Sequence, residues 1–249
     1  MIAWGAEYTD RMDETVPRLL ALDTATEQMA LAVVVGTRAW CAQEAGGAQA
    51  SQRLLPLALE QLQAAGLRPS QLDAVAFGRG PGAFTGLRTA CSVAQGLALG
   101  LGCPVLPIDS LAIVAEDARV RHGVNALWVA MDARMDEVYA GAYRFERGRW
   151  QVEQAPALFT LPALHAAWRA RAPVAVAGSA LAAFGDRLLC GDAARLAAAG
   201  SDRAGALARM ARAAWAQGDA VDAAQALPLY LRDKVALTTA ERAAARATS

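Results

Sequence analysis

Four glycines, Gly78, Gly80, Gly82 and Gly86, crowd one loop in the sequence FGRGPGAFTGLR. Glycine tolerates φ > 0 and lets another group approach closely. The apolar run Asp73 to Phe77 before the loop reads as a strand, and the run after it as a long helix to about Leu101. A helix N-terminus directly after such a loop offers free N–H groups and the positive end of the helix dipole, which suit an anion. The chemistry open to these residues is phosphate contact. The other reading is that the glycines only let strand, turn and helix pack tightly, and local chemistry leaves both standing.

A second set of polar groups lies upstream. RLLALD, Arg18 to Asp23, is a hydrophobic strand ending in an acid, and Thr24 to Gln28 makes the turn after it. Asp23, Thr24 and Thr26 sit at the tip. Their carboxylate and hydroxyls could meet phosphate or magnesium, or could satisfy their own backbone in the turn.

Several chemistries are excluded. Thr85 stands where a G-x-G-x-x-G fingerprint needs its last glycine, and Arg88 follows Leu87 where a Walker loop needs lysine; the only lysine is Lys234. The two histidines, His122 and His165, lack the i+4 partner of an H-x-x-x-H or HExxH metal site, and neither adjoins a nucleophile elbow. The pairs Asp132 with Asp136 and Asp23 with Glu27 are also ordinary turn acids.

These residues need a scaffold of strands and helices. Met29 to Val35 and Arg38 to Glu44 continue the first strand as a meander. Ser51 is the expected N-cap of a helix from Gln52 to Ala65, with Pro56 near its start and Leu55, Leu59 and Leu62 at helical spacing. Val105 to Ile108 is a strand, and Ser110 the expected cap of a helix from Leu111 to Val120. After a joint at Gly123 to Asn125 the opening order returns. Ala126 to Asp132 is a strand ending in an acid, Ala133 to Asp136 a turn, Glu137 to Phe145 a strand, and Trp150 to Gln154 a third. Leu161 to Ala170 and Ala204 to Gln217 read as helices, Val174 to Gly178 as a strand, and Leu227 to Val235 as an extended segment.

Composition narrows the class. Lysine plus arginine equals aspartate plus glutamate, 24 each, so a chain of 249 residues carries no net charge and has little counterion-release drive to grip RNA alone. No apolar run reaches the roughly 18 residues of a membrane span, and the N-terminus lacks the apolar core of a signal peptide. Cys41, Cys91, Cys103 and Cys190 form no C-x-x-C pair and read as reduced, mostly buried thiols of a cytoplasmic protein.

The blocks LLALDTAT, SQRLLP, FGRGPGAFTGLR, AQGLALG, DARMDEVY and PLYLRDKVA, from about Leu19 to Ala236, resemble the TsaB (YeaZ) family. The resemblance implies an α/β fold of the actin/Hsp70/sugar-kinase (ASKHA) type with two topologically related domains. It implies a non-catalytic partner of a TsaD-type paralogue, joined by a TsaE-type ATPase, in forming N6-threonylcarbamoyladenosine next to the anticodon of tRNAs that read codons starting with A. It implies contact with tRNA only through that complex, and a homodimer when the chain is alone. Aligned with the TsaD metal motif, Ser110 and Val114 stand at the two histidine places. The peptidase label once attached to this family has no site here.

The expected partition is a weakly held extension at 1–17, an N-terminal domain at 18–116 plus 225–237, a C-terminal domain at 117–224, and a frayed tail at 238–249. No metal or resident cofactor is expected; weak binding of ATP or ADP at Asp23, Thr24, Thr26, Gly80 and Gly82 stays open. The expected partner face is Thr89, Ser92, Gly96 and Leu99, opposite the core stripe of Leu87, Ala94 and Ala98. The alternative function is a stand-alone actin-fold ATPase or phosphotransferase.

Overall fold

Leu20, Leu22, Leu31, Val33, Val75 and Phe77 turn to one face of a sheet, while Leu19, Ala21, Ala30, Ala32, Ala74 and Ala76 turn to the other. This period-two division into a bulky face and a small face sets the architecture. The computed structural model describes residues 16–196 and 201–232. Most of the expected extension, residues 233–237 of the expected return to the first domain, and the tail lie outside the described residues.

The first sheet holds β1 (Arg18–Asp23), β2 (Gln28–Val35), β3 (Arg38–Ala45), β4 (Ala74–Gly80) and β5 (Val105–Asp109) in the order β3-β2-β1-β4-β5. β1, β2 and β3 pair antiparallel, while β4 lies parallel to β1 and β5. The second sheet holds β6 (Ala126–Asp132), β7 (Glu137–Glu146), β8 (Arg149–Thr160), β9 (Ala175–Ala177) and β10 (Ala194–Leu196) in the order β10-β9-β6-β7-β8. Its pairings repeat those of the first, strand for strand.

The helices follow the same repeat. α1 (Ala50–Ala64) and α4 (Leu161–Ala170) follow the meanders; α2 (Phe84–Leu101) and α5 (Ala180–Phe184) follow the first parallel strand; α3 (Ser110–His122) and α6 (Arg203–Gln217) follow the second. α1 and α2 cover the bulky face of the first sheet. Its alanine-rich face receives Ala204, Ala206, Leu207, Ala208 and Ala211 of α6. Small residues on both sides allow this close approach. α3 packs Leu111, Ala112, Ala115 and Ala118 on the second sheet, and lies against α6. Glu116 of α3 ties this layer together, accepting from Arg119, from Arg209 of α6 and from the Trp150 indole of β8. The expected domain boundary at Glu116 therefore falls inside a helix.

Four local expectations are corrected. Ser51 lies inside α1, whose N-cap position is Gln49 without a side-chain cap. Pro56 lies inside α1, at its seventh residue, where its missing N–H leaves the Gln52 carbonyl without the usual helix bond. Leu55 and Leu59 face outward, 40% and 46% exposed, while Leu54, Leu57, Ala58 and Leu62 carry the core face. α3 is capped by Asp109, which accepts from the N–H of Leu111 and Ala112, and Ser110 turns inward. Gly86 belongs to the first turn of α2 and not to the loop. Of the thiols, Cys91 and Cys190 are buried, Cys103 is partly buried and Cys41 is exposed.

Candidate functional site

The ends of β1 and β6 carry matching turns. Asp23 accepts from the Ala25 N–H at 3.0 Å, and Asp132 from the Arg134 N–H at 2.8 Å. These Asx turns open toward a cleft of 910 Å³ between the two sheets, bounded by the β1–β2 turn, the loop before α2, α3, the β6–β7 turn, α5 and residues 229–232.

The two carboxylates have different surroundings. Asp23 is sealed from solvent: its Oδ2 accepts from the Ser110 hydroxyl at 2.7 Å, and its Oδ1 from Arg203 at 2.9 Å. Thr24 is buried too, its hydroxyl donating to the Gly86 carbonyl at 2.6 Å. Neither lines the cleft, so both of these candidate ligand contacts serve the fold instead. Thr26 lines the cleft, with its hydroxyl bonded to the Gln28 backbone.

The glycine loop divides likewise. A Cβ on Gly78 would stand 1.8 Å from Asp23 Oδ2, and one on Gly86 1.9 Å from the Thr24 carbonyl oxygen. Gly80 is buried at φ +107°, its N–H donating to Ser110 Oγ. Gly82 lines the cleft against the Ala25 carbonyl. A Cβ on Gly82 would stand 2.4 Å from that oxygen, so tight packing accounts for all four glycines.

The β6–β7 turn is the other built feature. Arg134, Met135 and Asp136 take positive φ in succession, a conformation costly for residues with side chains. Arg232 holds it, donating to the carbonyls of Ala133 at 3.1 Å and Arg134 at 3.3 Å and to Glu137 at 2.5 Å. Two sequence blocks, DARMDEVY and PLYLRD, therefore meet in space. Arg134 also pairs across the cleft mouth with Glu27. Beside it Tyr230 stacks on Phe84 at 4.9 Å, with the Arg88 guanidinium 4.0 Å over the Phe84 ring.

Arg203 and Arg232 escaped the sequence reading. One local signal existed for Arg203: an arginine at the first position of α6 opposes the helix dipole and needs a partner elsewhere. Arg232 gives none, since its partners lie about a hundred residues away in sequence.

The four expected partner residues all lie on α2. Ser92, Gly96 and Leu99 are exposed on α2, and Thr89 is partly buried with its hydroxyl bonded to the Thr85 carbonyl. Ser110 and Val114, on α3, both line the cleft. Among the described residues no group of three His, Cys, Asp or Glu side chains could hold a metal ion, and no helix is long and apolar enough to cross a membrane.

Two mixed sheets of identical strand order, with a helical layer between them and a cleft at their strand ends, define a two-domain protein of the sugar-kinase-like (ASKHA) class. Known proteins narrow this further. The family model described as TsaD, tRNA N6-adenosine threonylcarbamoyltransferase, matches residues 43–167, half of the chain. The tRNA threonylcarbamoyladenosine biosynthesis protein TsaB of Haemophilus influenzae is 44% identical over 121 residues, 49% of this chain and 51% of that protein. The Escherichia coli protein of the same name is 37% identical over 149 residues, 59% of this chain and 64% of that one. The matches thus span only half to two thirds of these relatives. The structure of YeaZ from Pseudomonas aeruginosa superposes with a TM-score of 0.76 at 40% identity, covering 86% of this chain and all of that one. The chain belongs to the TsaB (YeaZ) family.

Proposed function

We propose that this protein is a non-catalytic scaffold subunit in the biosynthesis of tRNA threonylcarbamoyladenosine, acting in the cytoplasm by pairing with a TsaD-type catalytic paralogue. The observation that carries the reading is the outer face of α1 and α2. Leu55, Leu59 and Leu99 are 40%, 46% and 61% exposed there, on two helices that pack side by side. A Cβ built on Gly96 meets nothing within 4 Å, so the α2 backbone is open to a partner helix. An apolar face of this kind on a surface suits protein contact. The same face serves self-pairing when the paralogue is absent, and tRNA and a TsaE-type ATPase are reached through the complex.

The residues at the family's catalytic places support the same reading. Ser110 and Val114 stand where a TsaD-type protein places metal-binding histidines, and Ser110 already spends its hydroxyl on Asp23. A stand-alone phosphotransferase would need Asp23 to face its ligand, and that carboxylate is enclosed. Co-expression with a TsaD-type protein is the test: the reading expects a stable complex, and threonylcarbamoyl transfer only when both chains are present. Transfer by this chain alone, or failure of the two to co-purify, overturns it.

A further inference from the structure

We propose that the cleft between the sheets is a binding site for an uncharged small molecule with a mostly apolar body. This goes beyond the scaffold role, which requires no ligand there. The cleft's 910 Å³ is of the size that encloses a small ligand. Its walls include Leu87, Leu111, Val114, Met131 and Leu229, brought from four separate segments of the chain.

The charges decide the ligand class. Four arginines line the cleft among the described residues, and each already holds a carboxylate: Arg203 with Asp23 at 2.9 Å, Arg121 with Asp117 at 3.2 Å, Arg232 with Glu137 at 2.5 Å, and Arg134 with Glu27. The lining acids are matched in turn, Asp132 by the Arg134 N–H and guanidinium. A polyphosphate would meet guanidinium groups whose charge is already offset by a neighbouring carboxylate. Taken with their partners Asp23 and Glu137, which stand behind the lining, these side chains give an anionic ligand no net attraction, whereas an apolar body gains by leaving water for the aliphatic walls.

The test is a titration of the full chain with the uncharged dye Nile red, followed by fluorescence. Ala182 and Ala183 line the cleft from exposed positions on α5, so a tryptophan at either fills space without entering the core. Saturable binding to the wild type is expected, weakened about tenfold or more by Ala182→Trp or Ala183→Trp. Circular dichroism shows that each variant is folded, and either folded variant suffices. ATP in excess should not displace the dye. Absence of saturable binding, unchanged affinity in folded variants, or displacement by ATP would each overturn the proposal.

Discussion

Arg203 Nη2 lies 2.9 Å from Asp23 Oδ1, with the arginine side chain 9% exposed and the carboxylate fully enclosed. The pair joins the end of β1 to the start of α6, and Ser110 brings α3 to the same carboxylate. Three elements from distant parts of the chain thus share one buried charge. Removing one partner strands the other in a low-dielectric interior. Arg203→Leu should therefore cost about 3–5 kcal/mol in urea unfolding. The double change with Asp23→Leu should recover part of this and not all, since Ser110 and the Ala25 N–H also lose their acceptor. A single variant as stable as the wild type would show that the pair contributes nothing.

Gly78 and Gly96 make a matched contrast. A methyl at Gly78 would overlap Asp23 Oδ2, while a methyl at Gly96 meets open space. Gly78→Ala should lose about 1–3 kcal/mol through overpacking. Gly96→Ala should hold stability or gain up to about 1 kcal/mol from helix propensity. Melting temperatures moving in the same direction by the same amount would contradict this account of the loop.

The Tyr143 hydroxyl donates to Asp109 Oδ2 at 2.8 Å, linking the second sheet to the cap of α3. Burial pushes the Asp109 carboxyl above its ordinary range, and Tyr143, two backbone N–H groups and Arg79 pull it back only in part. The folded state therefore holds this proton to higher pH than the unfolded state does. By linkage, this group's contribution to stability falls as pH rises from about 4 through the folded pKa. Asp109→Asn keeps an N-capping oxygen and removes the ionisation. Its stability relative to wild type should improve between acid and neutral pH. A difference that is flat with pH, or of the opposite slope, would refute the assignment.

Much of the frame was legible because its signals are local. The bounds of β1, β6 and α4 are as read, since alternation and apolar runs depend on neighbours in sequence. The strand-acid-turn-strand repeat was visible for the same reason. α5 and β10 were missed: both are short, and ALAAF and ARL carry no periodicity to separate helix from strand. The cap of α3 went to the wrong neighbour because Asp109 and Ser110 are both good caps, and the inward demand on Ser110 comes from Asp23, far away in sequence. Of the candidate site, spacing located the loops but could not say which way Asp23 and Thr24 faced. Their orientation depends on Arg203 and Gly86, which only the fold brings near.

The outer face of α2 gives the sharpest test of pairing. Gly96 stands exposed between Ser92 and Leu99, with the buried stripe of Leu87, Ala90, Ala94 and Ala98 on the opposite side. Gly96→Arg sets a long charged side chain where a partner helix would need close backbone approach. In the free chain it costs little, since surface changes stay within about 0.5 kcal/mol, and loss of a mid-helix glycine favours the helix. The expected product is a folded monomer, melting at or above the wild-type temperature, that neither self-associates in sedimentation nor retains a TsaD-type protein in pull-down. Leu99→Glu should act in the same direction by placing a charge on the apolar patch. Normal pairing by both folded variants would place the partner interface on another face of the molecule.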